Sequence, residues 1–331
     1  MKSIEETIRI PIVTLYSDKL GNRINIWRDD LLPYSFGGNK VRIAYEFILD
    51  MYNQRKNCMI GYGSAYSNMS RALASFCKAY QIPCYIVSPS DIDGERQQTY
   101  NSYLVDLCGA TVVHCTKNNV AEIVENTIEK CRNNGLRPYY IYGDKFGIGN
   151  ESVAVRAYKK VYDEIICRYN EGIKQFDYIF LPTGTGMTQA GLLVGALSND
   201  GGEKIVGISV ARERKKEEQI ILRYVQSMFP SIKGHLNADK LIVSDDYLCG
   251  GYGQYTQGVE QVIYDIYCKY GVPLDPTYTG KAFYGMLKYL ENNNICNNNI
   301  LFLHTGGTPL FFDYLAHRNP SPKIIKSKDK V

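Results

Sequence analysis

The sequence predicts an α/β protein: two domains of open, twisted, mostly parallel sheet flanked by helices. Strand-length apolar runs, such as Cys58-Met59-Ile60-Gly61-Tyr62-Gly63 and Ile300-Leu301-Phe302-Leu303-His304, alternate with helix-length segments across short connections. That is the pattern of a parallel sheet covered by helices. Several runs stop at glycine and hydroxyl residues, where parallel sheets collect their ligands. At 331 residues and roughly 150 per domain, the chain has the length for two domains and a sizeable core.

Residues 1–23 read as irregular chain or short strands, and Ile24-Asn25-Ile26-Trp27-Arg28 alternates as a strand. Asp29 to Pro33 turn the chain into Phe36-Gly37-Gly38-Asn39-Lys40-Val41-Arg42, and a helix follows over 41–52. The strand at 58–63 leads through a polar loop at 64–68 to a helix ending near Tyr80. Strands at 83–88, 111–114 and 138–142 then alternate with helices over about 94–108 and 120–133. A long helix over 151–169 is expected to cross between the domains. A strand at 177–182 enters Thr183-Gly184-Thr185-Gly186-Met187-Thr188, followed by an apolar helix over 189–197 and a strand at 204–210. Arg212-Glu213-Arg214-Lys215-Lys216-Glu217-Glu218 alternates in sign and reads as the solvated start of a helix reaching about Phe229. Gly250-Gly251-Tyr252-Gly253 is a loop and 259–270 a helix. Leu274-Asp275-Pro276-Thr277-Tyr278-Thr279-Gly280-Lys281 opens a helix over 282–292. The asparagine-rich patch at 292–299 turns the chain into the last strand, 300–304, closed by Thr305-Gly306-Gly307.

Composition removes several function classes. The net charge of +4 is small and scattered and does not support nucleic-acid binding. Ten cysteines without a Cys-x-x-Cys pair or a Cys/His cluster argue against a disulfide framework and against a metal site, and for a reducing compartment, the cytoplasm. Cys58, Cys84, Cys108 and Cys115 lie in apolar runs, as small buried hydrophobes do. Met1 to Glu6 carry no apolar signal core, and no apolar stretch reaches ~18 residues, so no membrane span is expected. The Lys- and Pro-rich residues 320–331 read as a loose terminus.

Four strand ends carry residues suited to chemistry, Ser64 to Asn68, Thr183 to Thr188, Tyr278-Thr279-Gly280 and Thr305-Gly306-Gly307, and Lys40 joins them from its own turn. Lys40, behind a Gly-Gly turn and at the mouth of a helix, reads either as a solvated lysine or as one that clamps a phosphate or condenses with a carbonyl. Thr183 to Thr188 reads either as a tight strand-to-helix turn or as a cradle of backbone N–H groups and hydroxyls for a phosphate. It lacks the Gly-Lys-Ser/Thr ending of a nucleoside triphosphate loop and the Gly-x-Gly-x-x-Gly dinucleotide pattern. Ser67-Asn68 reads either as a helix cap or as a hydroxyl and amide for a carboxylate or phenolic oxygen. His304 is open between an acid/base and a packed, hydrogen-bonded group, whereas His114 and His235 stand without partners. Tyr252 and Tyr278 each sit beside glycine in a chain of 28 tyrosines, so packing accounts for either equally well.

Taken together, these motifs resemble the pyridoxal-phosphate enzymes of the tryptophan synthase β-like fold, and within it the D-cysteine desulfhydrase and 1-aminocyclopropane-1-carboxylate deaminase family. The resemblance spans about Trp27 to Tyr314 and is carried by Arg28-Asp29-Asp30-Leu31 with Gly37 to Arg42, Thr185 to Gly191, Leu274 to Lys281 and His304 to Gly307. It implies pyridoxal 5'-phosphate as cofactor and Lys40 as the Schiff-base lysine that also moves the substrate α-proton. It implies that Asn68 meets the ring oxygen, that Ser67 meets the substrate carboxylate, and that Tyr278 and Tyr252 face the substrate. Gly184, Thr185, Gly186, Met187 and Thr188 would hold the phosphate, with Asn39, Thr279 and Thr305 completing the cofactor contacts. A large cofactor domain over 1–55 and 166–318, a small inserted α/β domain over 56–165, a flexible tail over 319–331 and a homodimer are expected. The deaminase branch is similar except for Tyr-Glu-Gly-Lys where this chain has Tyr278-Thr279-Gly280-Lys281. A neutral hydroxyl at Thr279 or Thr305 only donates to an unprotonated ring nitrogen, which favours β-elimination over opening a cyclopropane. Relatives carry Gln-Ser-Asn-His where this chain has Tyr66-Ser67-Asn68-Met69, which alters the substrate side of the pocket. The expected activity is a lyase that deaminates a small amino acid bearing a β leaving group. The alternatives are β-replacement, racemisation or 1-aminocyclopropane-1-carboxylate deamination. Lys40, Ser67 and Tyr278 together disfavour a binding protein without turnover.

Overall fold

The computed structural model describes residues 9–90, 98–230 and 240–318. The expected tail over 319–331, the N-terminal residues 1–6 and His235 lie outside the described residues.

Strands β1 (Ile12–Ser17) and β2 (Arg23–Arg28) form an antiparallel hairpin. Its turn closes on Asp18, whose carboxylate accepts from the N–H groups of Leu20 and Asn22. β2 then pairs in parallel with β10 (Asn299–His304), Ile24 opposite Ile300 and Arg28 opposite His304. Beyond β10 lie β7 (Tyr178–Thr183), β8 (Lys204–Ser209) and β9 (Leu241–Ser244), giving a six-stranded sheet in the order β1-β2-β10-β7-β8-β9. A second, four-stranded parallel sheet runs β5-β4-β3-β6, built from β3 (Cys58–Tyr62), β4 (Cys84–Ser90), β5 (Thr111–Thr116) and β6 (Pro138–Tyr140).

Every residue of β10 is buried, so helices cover both faces of the large sheet. Strand alternation divides it: Leu301 and Leu303 enter one core, Ile300 and Phe302 the other. The first core is shared with the small sheet and with helices α1 (Asn39–Asn53), α2 (Asn68–Ala79), α5 (Glu151–Asn170) and α6 (Met187–Ser198). The second is closed by α8 (Gln257–Tyr270), α9 (Thr279–Asn292) and α10 (Thr308–His317). Helices α3 (Tyr100–Leu107) and α4 (Val120–Asn133) serve the small sheet, and α7 (Arg214–Met228) follows β8. α5 and α6 meet backbone to side chain: a Cβ on Gly191 would stand 2.5 Å from the Tyr158 Cβ, and one on Gly195 2.4 Å from the Tyr162 Cβ. Glycine at both positions is what lets the helices approach so closely.

Three elements differ from the sequence expectation. The helix expected from about residue 94 starts at Tyr100, where Thr99 and Ser102 form a reciprocal capping box; residues 91–97 lie outside the described residues. β9 is only four residues long, too short for its alternation to register. α10, which follows the last segment read from sequence, opens on Thr308-Pro309, where proline suits a first helical turn. Among the described residues, no helix is long and apolar enough to cross a membrane.

Candidate active site

The cleft forms where strand ends and helix starts converge. Four successive residues before α1 have positive φ: Ser35 at 47°, Phe36 at 59°, Gly37 at 61° and Gly38 at 96°. The two glycines are required there, because a Cβ on Gly37 would lie 2.4 Å from the Asp30 carbonyl oxygen and one on Gly38 2.7 Å from that of Thr305. Asp29, fully buried, fastens this turn. Its backbone oxygen accepts from Gly38 N at 2.8 Å, and its carboxylate accepts from Trp27 Nε1, Arg42 and the Tyr158 hydroxyl. Strand β2, α1 and α5 are thus tied to one carboxylate.

Lys40 stands in the first turn of α1, half-buried, with Nζ 3.5 Å from the Thr185 hydroxyl oxygen. Burial pulls its ammonium down to about 8, against the attraction of Glu217. Beside it Asn39 donates from its backbone N to Thr305 O (3.0 Å) and from Nδ2 to the Thr188 hydroxyl (2.9 Å). One residue therefore joins α1, the end of β10 and the start of α6.

The segment after β7 turns through Gly186 at φ 77° into α6. The first turn of α6 leaves the N–H groups of Met187, Thr188 and Gln189 without helical acceptors, a ready cup for an anion. Glu217 lies under this loop, accepting from the Thr183 hydroxyl at 2.9 Å and from Arg212 at 3.1 Å. It is completely buried, which corrects the reading of residues 212–218 as wholly solvated; Arg214 to Lys216 do face water. One helical turn carries Glu217 inward while its neighbours stay outside. Burial raises the Glu217 carboxyl, while Arg212, Thr183, Lys40 and the Gly186 N–H oppose that rise.

Ser67 caps α2: its Oγ accepts from Ser70 N at 3.1 Å. Asn68, the first residue of α2, accepts at Oδ1 from Asn101 Nδ2 (3.0 Å) and from Arg71 (3.4 Å). Tyr252 and Tyr278 share a hydroxyl–hydroxyl hydrogen bond of 2.6 Å, with rings edge to face at 5.8 Å. Burial raises both phenols. Thr279 is fully buried; its hydroxyl donates to Asp275 Oδ2 (2.8 Å) and accepts from Asp275 N (2.9 Å). The Thr305 hydroxyl, by contrast, bonds to no protein group among the described residues. His304 is packed rather than poised: Nε2 meets Pro273 O at 3.0 Å and Nδ1 meets Gly306 N at 3.1 Å, which fixes the ring's orientation. Lys281 is fully buried, and its ammonium reaches the carbonyls of Gly251 (2.8 Å), Leu248 (2.9 Å) and Val210 (3.4 Å). It thereby staples the loop bearing Tyr252 to the helix that follows Tyr278.

Hydrogen bonds bring Lys40, Asn39, Thr185, Thr188 and Thr305 together, and Tyr252 meets Tyr278. Ser67 bonds within its own helix. Sequence reasoning missed Glu217, Asp275, Arg71 and Asn101. Only Asp275 left a signal, an aspartate whose side chain accepts from the N–H groups two, three and four residues on.

A family model described as pyridoxal-phosphate dependent enzyme matches residues 5–306. The chain belongs to that family. Similar curated proteins include the D-cysteine desulfhydrase of Yersinia pestis (strain Pestoides F), 29% identical over 304 residues and covering 90% of each chain. That of Klebsiella pneumoniae (strain 342) is 29% identical over 307 residues, 91% of this chain and 92% of the other. Among solved structures, an ACC deaminase homologue superposes with a TM-score of 0.80 at 26% identity, covering 93% of this chain and 92% of its own. A hydrogen sulfide-producing enzyme from Fusobacterium nucleatum, at 18% identity and a TM-score of 0.63, shares the fold. The architecture is that of the tryptophan synthase β-like pyridoxal-phosphate enzymes. The donor set fits the cofactor: an amine of lowered basicity 3.5 Å from the Thr185 hydroxyl oxygen, the first-turn N–H groups of α6 just beyond it, and the neutral hydroxyl of Thr305 at the end of β10.

Proposed function

We propose that this pyridoxal-phosphate-dependent lyase deaminates a small amino acid with a β leaving group, D-cysteine being the type substrate, to a 2-oxo acid and ammonia, with sulfide when the leaving group is a thiol. The observation that carries the reading is Lys40, an amine of lowered basicity within reach of the anion cup at Thr185. At pH 7 an amine titrating near 8 is about 10% neutral, on the order of 300-fold more than an ordinary lysine.

Gly184 to Thr188 bind the phosphate through backbone N–H groups and hydroxyls, and Asn39 holds Thr188 in place. When bound, the cofactor supplies the electron sink that acidifies the substrate Cα–H. Lys40 holds the cofactor in the resting site and carries the α-proton during turnover. Ser67 keeps its hydroxyl proton, since its oxygen only accepts in the cap, and donates it to the substrate carboxylate. Tyr252 and Tyr278 share one hydrogen bond; the second phenolic proton is directed to the leaving group. Thr305 would offer its hydroxyl to the ring nitrogen, whereas the Thr279 hydroxyl is engaged by Asp275. Position 279 carries a threonine and no carboxylate, so this chain supplies no acid there to protonate a ring nitrogen, which would suit expulsion of an activated β group. Tyr66 and Met69 shape the substrate side of the cofactor.

The homodimer and the cytoplasmic setting belong to the same proposal. Tyr264, Tyr267 and Phe312 leave aromatic surface exposed on α8 and α10, and all ten cysteines are unpaired thiols. Incubation with D-cysteine, D-serine, L-serine and 1-aminocyclopropane-1-carboxylate, followed by assays of keto acid, sulfide and chirality, tests the activity. Keto acid and sulfide from D-cysteine are expected. Chirality change or a replacement product without keto acid would overturn the lyase reading.

A further inference from the structure

We propose that Arg71 is the positioning residue of the cofactor site, one guanidinium fixing both the Asn68 amide and the loop that carries Lys40. The inference rests on the pyridoxal-phosphate reading and adds the residue that orients its ring-oxygen contact.

Arg71 lies on α2 and is 1% exposed. Its Nη2 stands 3.4 Å from Asn68 Oδ1 and 3.4 Å from Gly37 O, and its Nη1 3.1 Å from Ser35 Oγ. A guanidinium carries donors only, so the amide atom of Asn68 that faces it must be oxygen. Asn101 donates to the same oxygen at 3.0 Å and is itself anchored on Tyr66 O at 3.1 Å. The Asn68 Nδ2 is therefore turned away from both and, among the described residues, bonds to no protein group. Asn68 can offer the cleft a hydrogen-bond donor and nothing else. The same guanidinium grips Gly37 O and Ser35, inside the run of positive φ that leads to Lys40.

Charge points the same way. Among the described residues no carboxylate pairs with Arg71, and its Nε has no partner. Burial pulls the guanidinium down to about 10, which leaves it charged at neutral pH. A buried cation without a counter-ion is costly. The anionic oxygen of the cofactor ring, met through Asn68, is the charge that offsets it. Donor and cation together favour that anion and disfavour a proton on the neighbouring nitrogen that links the cofactor to Lys40.

The test uses holoenzymes of the wild type and of Arg71→Met, Arg71→Lys and Asn101→Leu. Absorbance of the bound cofactor is followed against pH, cofactor dissociation is measured, Lys40 is checked by borohydride reduction and mass, and folding by circular dichroism. In Arg71→Met the midpoint of the absorbance change should rise by about one pH unit, roughly 10-fold in proton affinity. Its cofactor dissociation constant should rise by about the same factor. Arg71→Lys and Asn101→Leu should shift less, in the same direction. A folded Arg71→Met protein, labelled at Lys40, with the wild-type midpoint overturns the role. Should that variant not fold, wild-type midpoints in both other variants overturn it. Wild-type protein that takes no label at Lys40 overturns the pyridoxal-phosphate reading instead.

Discussion

Lys40 sets the energetics at the level of single residues. Its folded-state titration lies near 8 against an ordinary 10.5, so between those values the unfolded chain binds more protons than the folded one. Stability of the cofactor-free chain should therefore rise with pH across that window. Below pH 8 the full cost is present. Lys40→Met should then stabilise the cofactor-free protein by ~1–3 kcal/mol at pH 7, with the gap closing towards pH 10.5, as read by urea unfolding at both values. The same variant should stay colourless with the cofactor and form no keto acid. Tyr278→Phe removes one half of the 2.6 Å phenol pair and leaves the packing intact. Its kcat should fall by about 10² or more with little change in KM if the pair delivers a proton to the leaving group. An unchanged kcat in steady-state assays would assign the pair to packing alone.

Helices and turns show why the site stands where it does. Gly38 lets the chain pass within reach of Thr305 O; Gly38→Ala would place a Cβ 2.7 Å from that oxygen at φ 96°. The expected outcome is a displaced start of α1 and cofactor binding weakened by roughly 10-fold or more, measured by equilibrium dialysis. Lys281→Met leaves three carbonyls without their ammonium and should cost roughly 2–4 kcal/mol in thermal or denaturant unfolding. It should also raise KM, because the loop bearing Tyr252 loses its tether. At this scale the sequence was informative wherever local rules decide. Glycines placed at a strand end, a serine before a helix and a hydroxyl-rich turn into α6 announce themselves by their own backbone preferences. It was silent where a residue's role depends on depth. Glu217 looks like its charged neighbours Lys216 and Glu218 until α7 is laid against α5 and α6. Arg71 looks like any helical arginine until its helix is docked on the Lys40 loop. Nothing in residue order reveals that Asn101, thirty-odd positions away, meets Asn68.

On the whole-molecule scale, alternation of strand and helix specified a parallel α/β architecture. It left open which strands are neighbours, because pairing between distant segments has no local trace. The large sheet is the clearest case, since the strand made last, β10, lies between β2 and β7. All strands of the small sheet lie between Cys58 and Tyr140, so it can assemble while synthesis continues. The large sheet, by contrast, has an open seam until Asn299–His304 leaves the ribosome, and apolar flanks such as Ile24, Ile26 and Phe180 stay uncovered until then. A chain stopped after Asn298 should accumulate as aggregate in sedimentation assays. The complete chain should refold slowly and benefit from chaperones, because closing that seam joins segments almost the whole polypeptide apart.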